Sequence, residues 1–292
     1  MKETKVLVPV IKDSGSDFHR LVIPARELDN KTIKIGEEES ILKFDIVEKD
    51  SITFDQCLDY NIIFYNWDIK FKSWELGWLA SKGVKLLYSI DDFWQFSELH
   101  PYYNNNVIRD YVERRVKENL TNATAVVTTT KVLATEVSDY NKTIGILPNF
   151  IKYDFKGKTT SEKLRIGIIG SISHYPDWLQ LKQIINKLAK NKNIVNNCEF
   201  YICGYTESPS WDEIVGIFKK KKNLKLYIKP ALDVDNYMSL YDNIDICLMP
   251  LEFNKFNLCK SALKLVECAL TKTLPLGSYI YNTKEVNSLV IA

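Results

Sequence analysis

The stretch 245-DICLMPLEFNKFNLCKSALKLVECALTKTLPLGS-278 decides how this sequence folds. Its pattern predicts a strand over 246–250, a polar loop over 252–258, a helix from about 259 to 270 and a short apolar strand that ends at Ser278. A strand, a helix and a second strand in this order are typical of a parallel α/β sheet.

Four polar residues of this stretch, Asn257, Lys260, Lys264 and Glu267, are three or four positions apart. Side chains at this spacing lie on one face of a helix, so two cations and one carboxylate are expected to face a common cleft. At the carboxyl ends of parallel strands, loops lead into helix N-termini that favour phosphate. The stretch therefore predicts a site for a phosphorylated ligand, although an exposed amphipathic helix with one ion pair gives the same pattern.

The composition describes a globular chain long enough for about two domains, with 46% hydrophobic and 26% charged residues among 292. The net charge of +2 gives no argument for a nucleic-acid partner. No apolar run approaches the roughly 18 residues of a membrane span, and the N-terminus indicates a core strand, so a cytoplasmic location is expected. Six cysteines without Cys-x-x-Cys spacing indicate reduced thiols and no metal site.

The first half predicts a parallel crossover. NIIFYNW (61–67) is a continuous apolar strand, SWELGWLASKG (73–83) is a helix that ends at Gly83, and VKLLYSI (84–90) is the next strand. Asp91 and Asp92 follow that strand and could accept hydrogen bonds from a polyol while the rings of Phe93 and Trp94 stack on it. Capping of a short helix by either carboxylate is the alternative.

Two more charged segments of the first half have two interpretations each. The loop KDSGSDFHR (12–20) places His19 and Arg20 where they could meet a ligand or lie in solvent. The helix that contains YVERRVKENL (111–120) carries Arg114, Arg115 and Lys117, which predict a solvated, salt-bridged face or, less directly, contact with anionic lipid.

After a polar segment that predicts an interdomain linker, FIKYDFKGKTTSEK (150–163), the second half begins with LRIGIIGSISHYPDW (164–178). Gly170 lets the backbone approach a ligand, and Ser171 and His174 add donors before a helix that begins near Asp177. This is the shape of a phosphate loop, although one glycine is too few for a dinucleotide fingerprint. Strands and helices then alternate to the opening stretch, including CEFYICGY (198–205) and LKLYIKP (224–230).

Three patterns, in order, carry a family resemblance: AVVTTTKVLATEV (125–137) followed by ILPNFI (146–151), then RIGIIGSISHYPDW (165–178), then the opening stretch. Together they resemble the GT-B glycosyltransferases close to glycosyltransferase family 4, of the type that builds polysaccharides and cell-surface glycans. The resemblance implies an α/β chain of two Rossmann-like domains with parallel sheets and an interdomain cleft. Residues 1–152 would form the acceptor-side domain and 153–292 the domain that binds a nucleotide-sugar donor.

The resemblance also assigns residues. The donor would be bound by Gly170, Ser171, Asn257, Lys260, Ser261, Lys264 and Glu267, with Glu267 on the ribose hydroxyls, and transfer would involve His174, Asp91, Asp92 and Lys264. It implies a nucleotide-diphosphate sugar as co-substrate, no metal and no cofactor. The acceptor would be a glycan or a lipid-linked acceptor, and the sugar would be moved with retention. For such an acceptor the resemblance also implies peripheral contact at the inner membrane face.

Two departures from the family pattern keep other interpretations open. Many relatives have a glutamate where this chain has Cys259, and they continue for several dozen residues past the strand equivalent to LPLGS, whereas this chain stops at LVIA (289–292). The resemblance thus implies a shortened C-terminal end. A catalytically inactive GT-B-like protein that binds a nucleotide sugar or acts as a scaffold is the alternative, and an unrelated nucleotide-binding α/β regulator is a third.

Overall fold

In the computed structural model, which describes residues 2–278 except 36, 101, 102 and 104, the chain forms two compact units. The first unit contains the residues up to Gln95, then Asp110–Lys152 and Cys259–Ser261, and the second contains Phe96–Arg109, Tyr153–Leu258 and the chain from Ala262 onward. The predicted shortening of the C-terminal end falls on residues 279–292, outside the described residues.

The first unit is built on a seven-stranded sheet in the order β2-β3-β1-β4-β5-β6-β7. Neighbouring strands are parallel except β2 and β3, which are antiparallel. The strand β3 lies in a segment whose apolar residues fit neither a helix nor a strand period, yet all nine residues of β1 pair with it. The strands are β1 Lys2–Val10, β2 Thr32–Ile35, β3 Glu38–Glu48, β4 Ile62–Asn66, β5 Lys85–Ile90, β6 Ala125–Thr128 and β7 Ile144–Ile146.

Local sequence signals explain several helix ends around this sheet. The Thr130 side chain accepts a hydrogen bond from Leu133 N and caps its helix, and Gly83, with φ of 94°, follows another at a left-handed position. The α-helices are Gly15–Asp17, Ile23–Leu28, Ser73–Ser81, Asn106–Asn122 and Lys131–Val137, with a π-helix at Phe18–Val22 and 3-10 turns at Lys49–Ser51 and Asp55–Asp59.

The second unit is built on a five-stranded, fully parallel sheet in the order β10-β9-β8-β11-β12. Strands β9 and β10 follow on one side of β8, and β11 and β12 lie on its other side. The strand order therefore reverses between β8 and β11. A crevice at the carboxyl ends of two such strands is the usual ligand position in open α/β sheets. The strands are β8 Leu164–Ile169, β9 Cys198–Tyr205, β10 Leu226–Pro230, β11 Ile246–Met249 and β12 Leu274–Gly277.

The helices of the second unit differ from the sequence expectation at the opening stretch. The helix predicted over 259–270 begins at Leu263, and a separate short helix, Lys255–Leu258, lies in the predicted loop. The Cys259 carbonyl oxygen accepts a hydrogen bond from Thr130 Oγ1 at 3.0 Å, and this partner 129 residues away draws Cys259–Ser261 out of the helical path. The other α-helices are Tyr175–Leu179, Leu181–Leu188, Lys192–Asn197, Pro209–Lys219 and Leu263–Leu270, with 3-10 helices at Ile172–His174 and Tyr237–Asn243.

The segment predicted as a free linker is attached to the second unit. It has no regular secondary structure, but Lys158 Nζ donates to the Tyr241 carbonyl oxygen and to Thr273 Oγ1, both at 2.6 Å, and to the Ile244 carbonyl oxygen. Tyr153 Oη donates to the Asp242 carboxylate at 3.0 Å. These contacts fix the segment against the 3-10 helix Tyr237–Asn243.

The predicted fold class is confirmed: the chain has two α/β domains with parallel sheets. Continuous apolar strands form the cores, because a parallel sheet covered on both faces needs apolar residues on both sides of each strand. In the second unit, large rings from strand and helix pack together, with Trp178, Phe200, Trp211 and Phe218 all at most 3% exposed.

Candidate functional site

A close approach of two backbones shapes the carboxyl edge of the second sheet. Gly170 follows β8 with φ of 153°, and its N–H donates to the Cys203 carbonyl oxygen at 3.2 Å. A Cβ atom on Gly204, which has φ of 97°, would lie 2.1 Å from the Gly170 carbonyl oxygen. Both positions therefore require glycine, and the sequence reasoning identified Gly170 but missed Gly204.

Asp177 connects the loop after β8 to the loop after β11. Its Oδ2 accepts from His174 Nδ1 at 3.0 Å, and its Oδ1 accepts from Asn257 Nδ2 and Glu252 N, both at 2.8 Å. Asp177 is 3% exposed. Because a carboxylate accepts, this contact places a proton on His174 Nδ1 and fixes the ring orientation. The sequence predicts Asp177 only as the start of a helix. Its position three residues after His174 is the sequence feature that could have identified it as the residue that orients the His174 ring.

Asn257 is buried, and one of its polar atoms lacks a partner. Its Nδ2 donates to Asp177 Oδ1 and also to the Glu252 carbonyl oxygen at 2.9 Å. Its Oδ1, by contrast, is buried without a hydrogen bond from the described residues. An unpaired buried amide oxygen costs about 1–3 kcal/mol, so Asn257 offers an acceptor for a ligand hydroxyl or amide group.

Lys264 and Glu267 form a buried quartet with Tyr237 and Tyr241. Glu267 is 1% exposed, and its Oε2 accepts from Lys264 Nζ at 3.1 Å, Tyr241 Oη at 2.5 Å and Tyr237 Oη at 3.4 Å. Lys264 Nζ also donates to Tyr237 Oη. The Lys264–Glu267 ion pair of the alternative interpretation is present. The helix face that carries it is buried, however, so the interpretation as an exposed amphipathic helix is wrong. The two tyrosines were missed, although their spacing of four residues was visible in VDNYMSLYDN (234–243).

The quartet stabilises one set of protonation states. Burial opposes the charge of Lys264, but Glu267 and Tyr237 raise the pKa of Lys264 well above its ordinary value. Burial and then the Glu267 charge raise the pKa of both Tyr237 and Tyr241, which stay neutral donors. Every hydrogen bond that the described residues give to the Glu267 carboxylate ends on Oε2. Oε1 accepts none of these hydrogen bonds.

The quartet and the Gly170 loop belong to the same edge of the sheet. Burial raises the pKa of the Cys203 thiol to about 12, and the charge of Lys264 acts against this rise. Lys264 lies in the first turn of the helix that follows β11, and Gly170 follows the neighbouring strand β8, so both lie at the carboxyl edge of the sheet. Ser171, predicted beside Gly170, shares a hydrogen bond of 2.6 Å with Ser173 Oγ.

Asp91 lies at the carboxyl edge of the first sheet. Its Oδ2 accepts from Ser16 Oγ at 2.7 Å and its Oδ1 from Trp67 Nε1 at 2.9 Å. Burial and the charge of Asp92 raise the pKa of Asp91 to about 6. Loops after β1, β4 and β5 thus meet at this carboxylate, at the point where the strand order of the first sheet reverses.

Two aromatic residues after β5 do not have the predicted role. Phe93 and Trp94 are each 3% exposed, and Trp94 packs edge-on against Tyr140 with ring centroids 5.7 Å apart. The expectation that both rings stack on a ligand is wrong, because the core of the first unit takes them. The chain after Asp91 also does not enter a helix, so neither carboxylate is a helix cap.

Two arginines are buried, although the sequence predicts Arg115 on a solvated face and leaves Arg20 between ligand contact and solvent. Arg20 is fully buried, and its Nε donates to Ser89 Oγ at 3.0 Å and its Nη1 to Asn149 Oδ1 at 3.2 Å. Arg115 pairs with Asp68 Oδ1 at 2.8 Å and donates to the Phe71 carbonyl oxygen at 2.7 Å. Both guanidinium groups tie loop segments to the sheet, so Arg20 does not lie in solvent and Arg115 is not part of a solvated face.

The structure separates the residues of the opening stretch. Lys260 and Ser261 cluster with the first unit, where Lys260 Nζ is 3.5 Å from Asp92 Oδ1 and Ser261 Oγ accepts from Asn149 Nδ2 at 3.0 Å. The prediction that Lys260, Lys264 and Glu267 share one helix face is therefore wrong, since only Lys264 and Glu267 lie on that helix. Asn257, predicted at the loop end, lies on the separate short helix. The roles assigned to all of these residues stay predictions.

Two features of the described part of the chain concern membrane spanning and metal binding. None of its helices is long and apolar enough to cross a membrane. Its His, Cys, Asp and Glu side chains form no group of three or more that could hold a metal ion. Metal independence stays a prediction.

Comparisons with solved structures assign the architecture. The chain is similar to a trehalose-6-phosphate protein from E. coli bound with UDP-2-fluoro glucose (TM-score 0.55, 10% identity, 99% of this chain and 88% of that one). It is also similar to an alpha-glucosyltransferase in complex with UDP and a 13-mer DNA (TM-score 0.53, 11% identity, 94% and 80%). A third similar structure is a putative UDP-N-acetylglucosamine 2-epimerase from Listeria monocytogenes (TM-score 0.53, 12% identity, 98% and 82%).

These similarities define the class of fold. The chain has the two-domain GT-B architecture, and at this level of identity the likeness concerns the fold alone. No protein-family model matches the sequence, and no curated protein matches it.

Proposed function

We propose that the protein is a glycosyltransferase that moves a sugar, with retention, from a nucleotide-diphosphate sugar to a glycan or lipid-linked acceptor. The observation that carries the proposal is the Glu267 carboxylate. Its Oε2 accepts from three donors in a buried quartet, and its Oε1, which accepts from none of them, would accept from the ligand. A carboxylate held in this way suits the paired hydroxyls of a ribose.

The donor would be bound by the carboxyl edge of the second sheet. Gly170 N already donates to Cys203, so Gly170 contributes close approach, while the Ser171 N–H and hydroxyl would reach a phosphate oxygen. Asn257 would offer its unpaired Oδ1 to a sugar hydroxyl. The Lys264 charge would stabilise the negative charge that develops on the departing diphosphate.

The acceptor would be bound by the first unit. Asp91 accepts from Ser16 and Trp67, and its raised pKa of about 6 leaves it able to exchange a proton near neutrality. Asp92 and its partner Lys260 would add polar contacts. His174, held by Asp177, would contact the transferred sugar through Nε2.

Nucleotide release from a panel of UDP-, GDP- and dTDP-sugars tests the proposal, together with calorimetric binding of the free nucleotides. We expect one donor class to be turned over, and Glu267→Gln to weaken binding of the matching nucleotide at least about tenfold, the loss of one charged hydrogen bond. Glu213→Gln is the matched control, because Glu213 also accepts a tyrosine hydroxyl, from Tyr175 at 2.5 Å, but lies on an exposed helix position. Equal affinities of the two variants would refute the placement of the donor.

An inactive binding protein is the second candidate, and Cys259 is the observation that favours it. Cys259 is fully buried, so it cannot replace the carboxylate that many relatives have there. This alternative predicts nucleotide binding that depends on Glu267 without nucleotide release from any donor. The same panel therefore separates the two functions.

A further inference from the structure

Two adjacent segments of the second unit are rich in lysine and contain no acidic residue. Residues 178–198 and 214–232 lack Asp and Glu entirely. Seven of their lysines lie in the last turn of, or shortly after, the helices Leu181–Leu188 and Pro209–Lys219. Asn223 Nδ2 donates to the Ala189 carbonyl oxygen at 2.6 Å and joins the two ends into one surface. We call this surface the lysine patch; it consists of Lys187, Lys190, Lys192, Lys219, Lys220, Lys221 and Lys222.

The charge of the lysine patch is not neutralised within the described chain. No ion pair among the described residues includes one of these seven lysines, and all except Lys221 are exposed. Carboxylates at the same edge of the sheet already have partners: Glu199 pairs with Lys225 at 2.6 Å and Asp245 with Arg165 at 2.7 Å.

Helix-end electrostatics account for a small part of this charge. The C-terminus of a helix carries roughly half a negative charge, so two helix ends offset about one positive charge. The seven positive charges of the lysine patch far exceed the one charge that the helix ends offset. A surface with so large an uncompensated charge is suited to an anionic partner.

The form of the lysine patch indicates which anionic partner fits. It surrounds an open recess of about 640 Å³ lined by Asn186, Ala189, Lys190, Lys220, Lys221, Lys222 and Asn223. None of the buried, unpaired polar atoms of the described chain belongs to this lining, so the recess is not built for one discrete phosphate ligand. Phe218, beside the lysine run, is 2% exposed, so its ring is not available for stacking on nucleic-acid bases.

We propose that the lysine patch is a docking surface for an anionic phospholipid membrane. Long, mobile lysine side chains suit a fluid layer of phosphate headgroups, and each contributes on the order of 1 kcal/mol near such a surface. Ile184, 45% exposed and one turn before Lys187, adds an apolar contact on the same helix.

The position of the lysine patch makes the proposal independent of the donor site. Both helices run antiparallel to the strands, so their C-terminal ends lie at the amino edge of the sheet. Gly170 and Asn257 follow strands at the opposite, carboxyl edge. Membrane docking at the lysine patch therefore leaves the candidate site uncovered, and the lipid experiment is decided without reference to sugar transfer.

Co-sedimentation of the full chain with vesicles tests the proposal. We expect binding to phosphatidylcholine vesicles that contain about one third phosphatidylglycerol, little binding to pure phosphatidylcholine, and a loss of binding on adding salt. Replacing Lys219, Lys220, Lys221 and Lys222 together by Gln should weaken partitioning about tenfold or more. The matched control replaces four exposed lysines of the first unit, Lys5, Lys31, Lys34 and Lys85, by Gln, which removes the same charge.

Three results would overturn the proposal. One is a parent protein that does not sediment with the anionic vesicles at low salt. Another is an equal loss in the control variant, which would mean that net charge rather than this surface governs binding. The last is tighter, patch-dependent binding to duplex DNA than to the vesicles at the same salt, which would identify a nucleic-acid surface instead.

Discussion

Replacing Glu267 by Gln should destabilise the second unit and leave the first unchanged. The substitution keeps the shape of the side chain but removes the charge that faces the Lys264 ammonium group, whose side chain is 16% exposed. The amide oxygen of the variant could still accept from one tyrosine, whereas Lys264 would be left buried beside three neutral groups. The cost is therefore dominated by an uncompensated buried charge.

The magnitude follows from the distance between the charges. At 3.1 Å and an effective dielectric constant of about 20, the attraction between Lys264 and Glu267 is about 5 kcal/mol. Removing one partner of a buried pair costs about 3–5 kcal/mol in measured cases. Lys264 retains some access to water, so we expect a loss of about 3 kcal/mol, which corresponds to roughly a hundredfold change in the opening equilibrium.

Hydrogen exchange followed by mass spectrometry resolves the two units in one experiment. Amides in β8, β9 and the helix Leu263–Leu270 should exchange about a hundredfold faster in the variant, while amides in β4 and β5 should keep their rates. A double-mutant cycle with Lys264→Met supplies the control. Once the carboxylate is gone, losing the ammonium group should cost less, so the two losses should fall short of additivity by at least about 2 kcal/mol.

The reasoning would be refuted by additive losses, or by an exchange rate in the second unit that changes less than about threefold. Additivity would mean that the two side chains do not interact in solution. A small change would mean that water or the tyrosines already compensate the Lys264 charge.

Two further substitutions test other contacts. Gly204→Ala places a Cβ 2.1 Å from the Gly170 carbonyl oxygen, whereas the control Gly157→Ala meets nothing within 4 Å at a similar positive φ. Urea unfolding should show Gly204→Ala to be less stable than Gly157→Ala by at least about 2 kcal/mol. Equal unfolding midpoints of the two variants would exclude the close approach. Asp91, with a pKa raised from 3.8 to about 6, holds its proton more tightly in the folded state, so its contribution to stability is complete below pH 3.8 and is lost as the pH rises through 6. Urea unfolding of the parent from pH 4 to 7 should therefore show a decline, on the order of 2 kcal/mol from this group, that is absent in Asp91→Asn; parallel pH profiles would contradict the assignment.

The strands could be predicted because parallel strands covered on both faces require continuous apolar runs, as in NIIFYNW and CEFYICGY. The break before Leu263 could not, because a helical period runs through Cys259–Ser261 and a distant hydrogen bond from Thr130 removes them from the helix. Local pattern was overridden by tertiary structure at this point.

The candidate site shows the same limit. Gly170 and Glu267 were predicted as site residues from a strand end and from helical spacing. The burial of the charged groups was not predicted, because their partners are remote in sequence. Arg115 pairs with Asp68, 47 residues away, and Glu267 with Tyr237, 30 residues away. A charged residue with a helical spacing is usually exposed, and these exceptions depend on contacts that a sequence pattern does not contain.

The contacts of Lys158 determine where this chain can be cut. Its ammonium group donates to the carbonyl oxygens of Tyr241 and Ile244 and to Thr273 Oγ1. Tyr241 belongs to the 3-10 helix that carries both tyrosines of the quartet, and Thr273 follows the helix that carries Glu267. A fragment that starts at β8 would leave these acceptors without their donor. A chimaera that transplants the second unit onto another protein should therefore begin no later than Tyr153 and carry its own connecting segment.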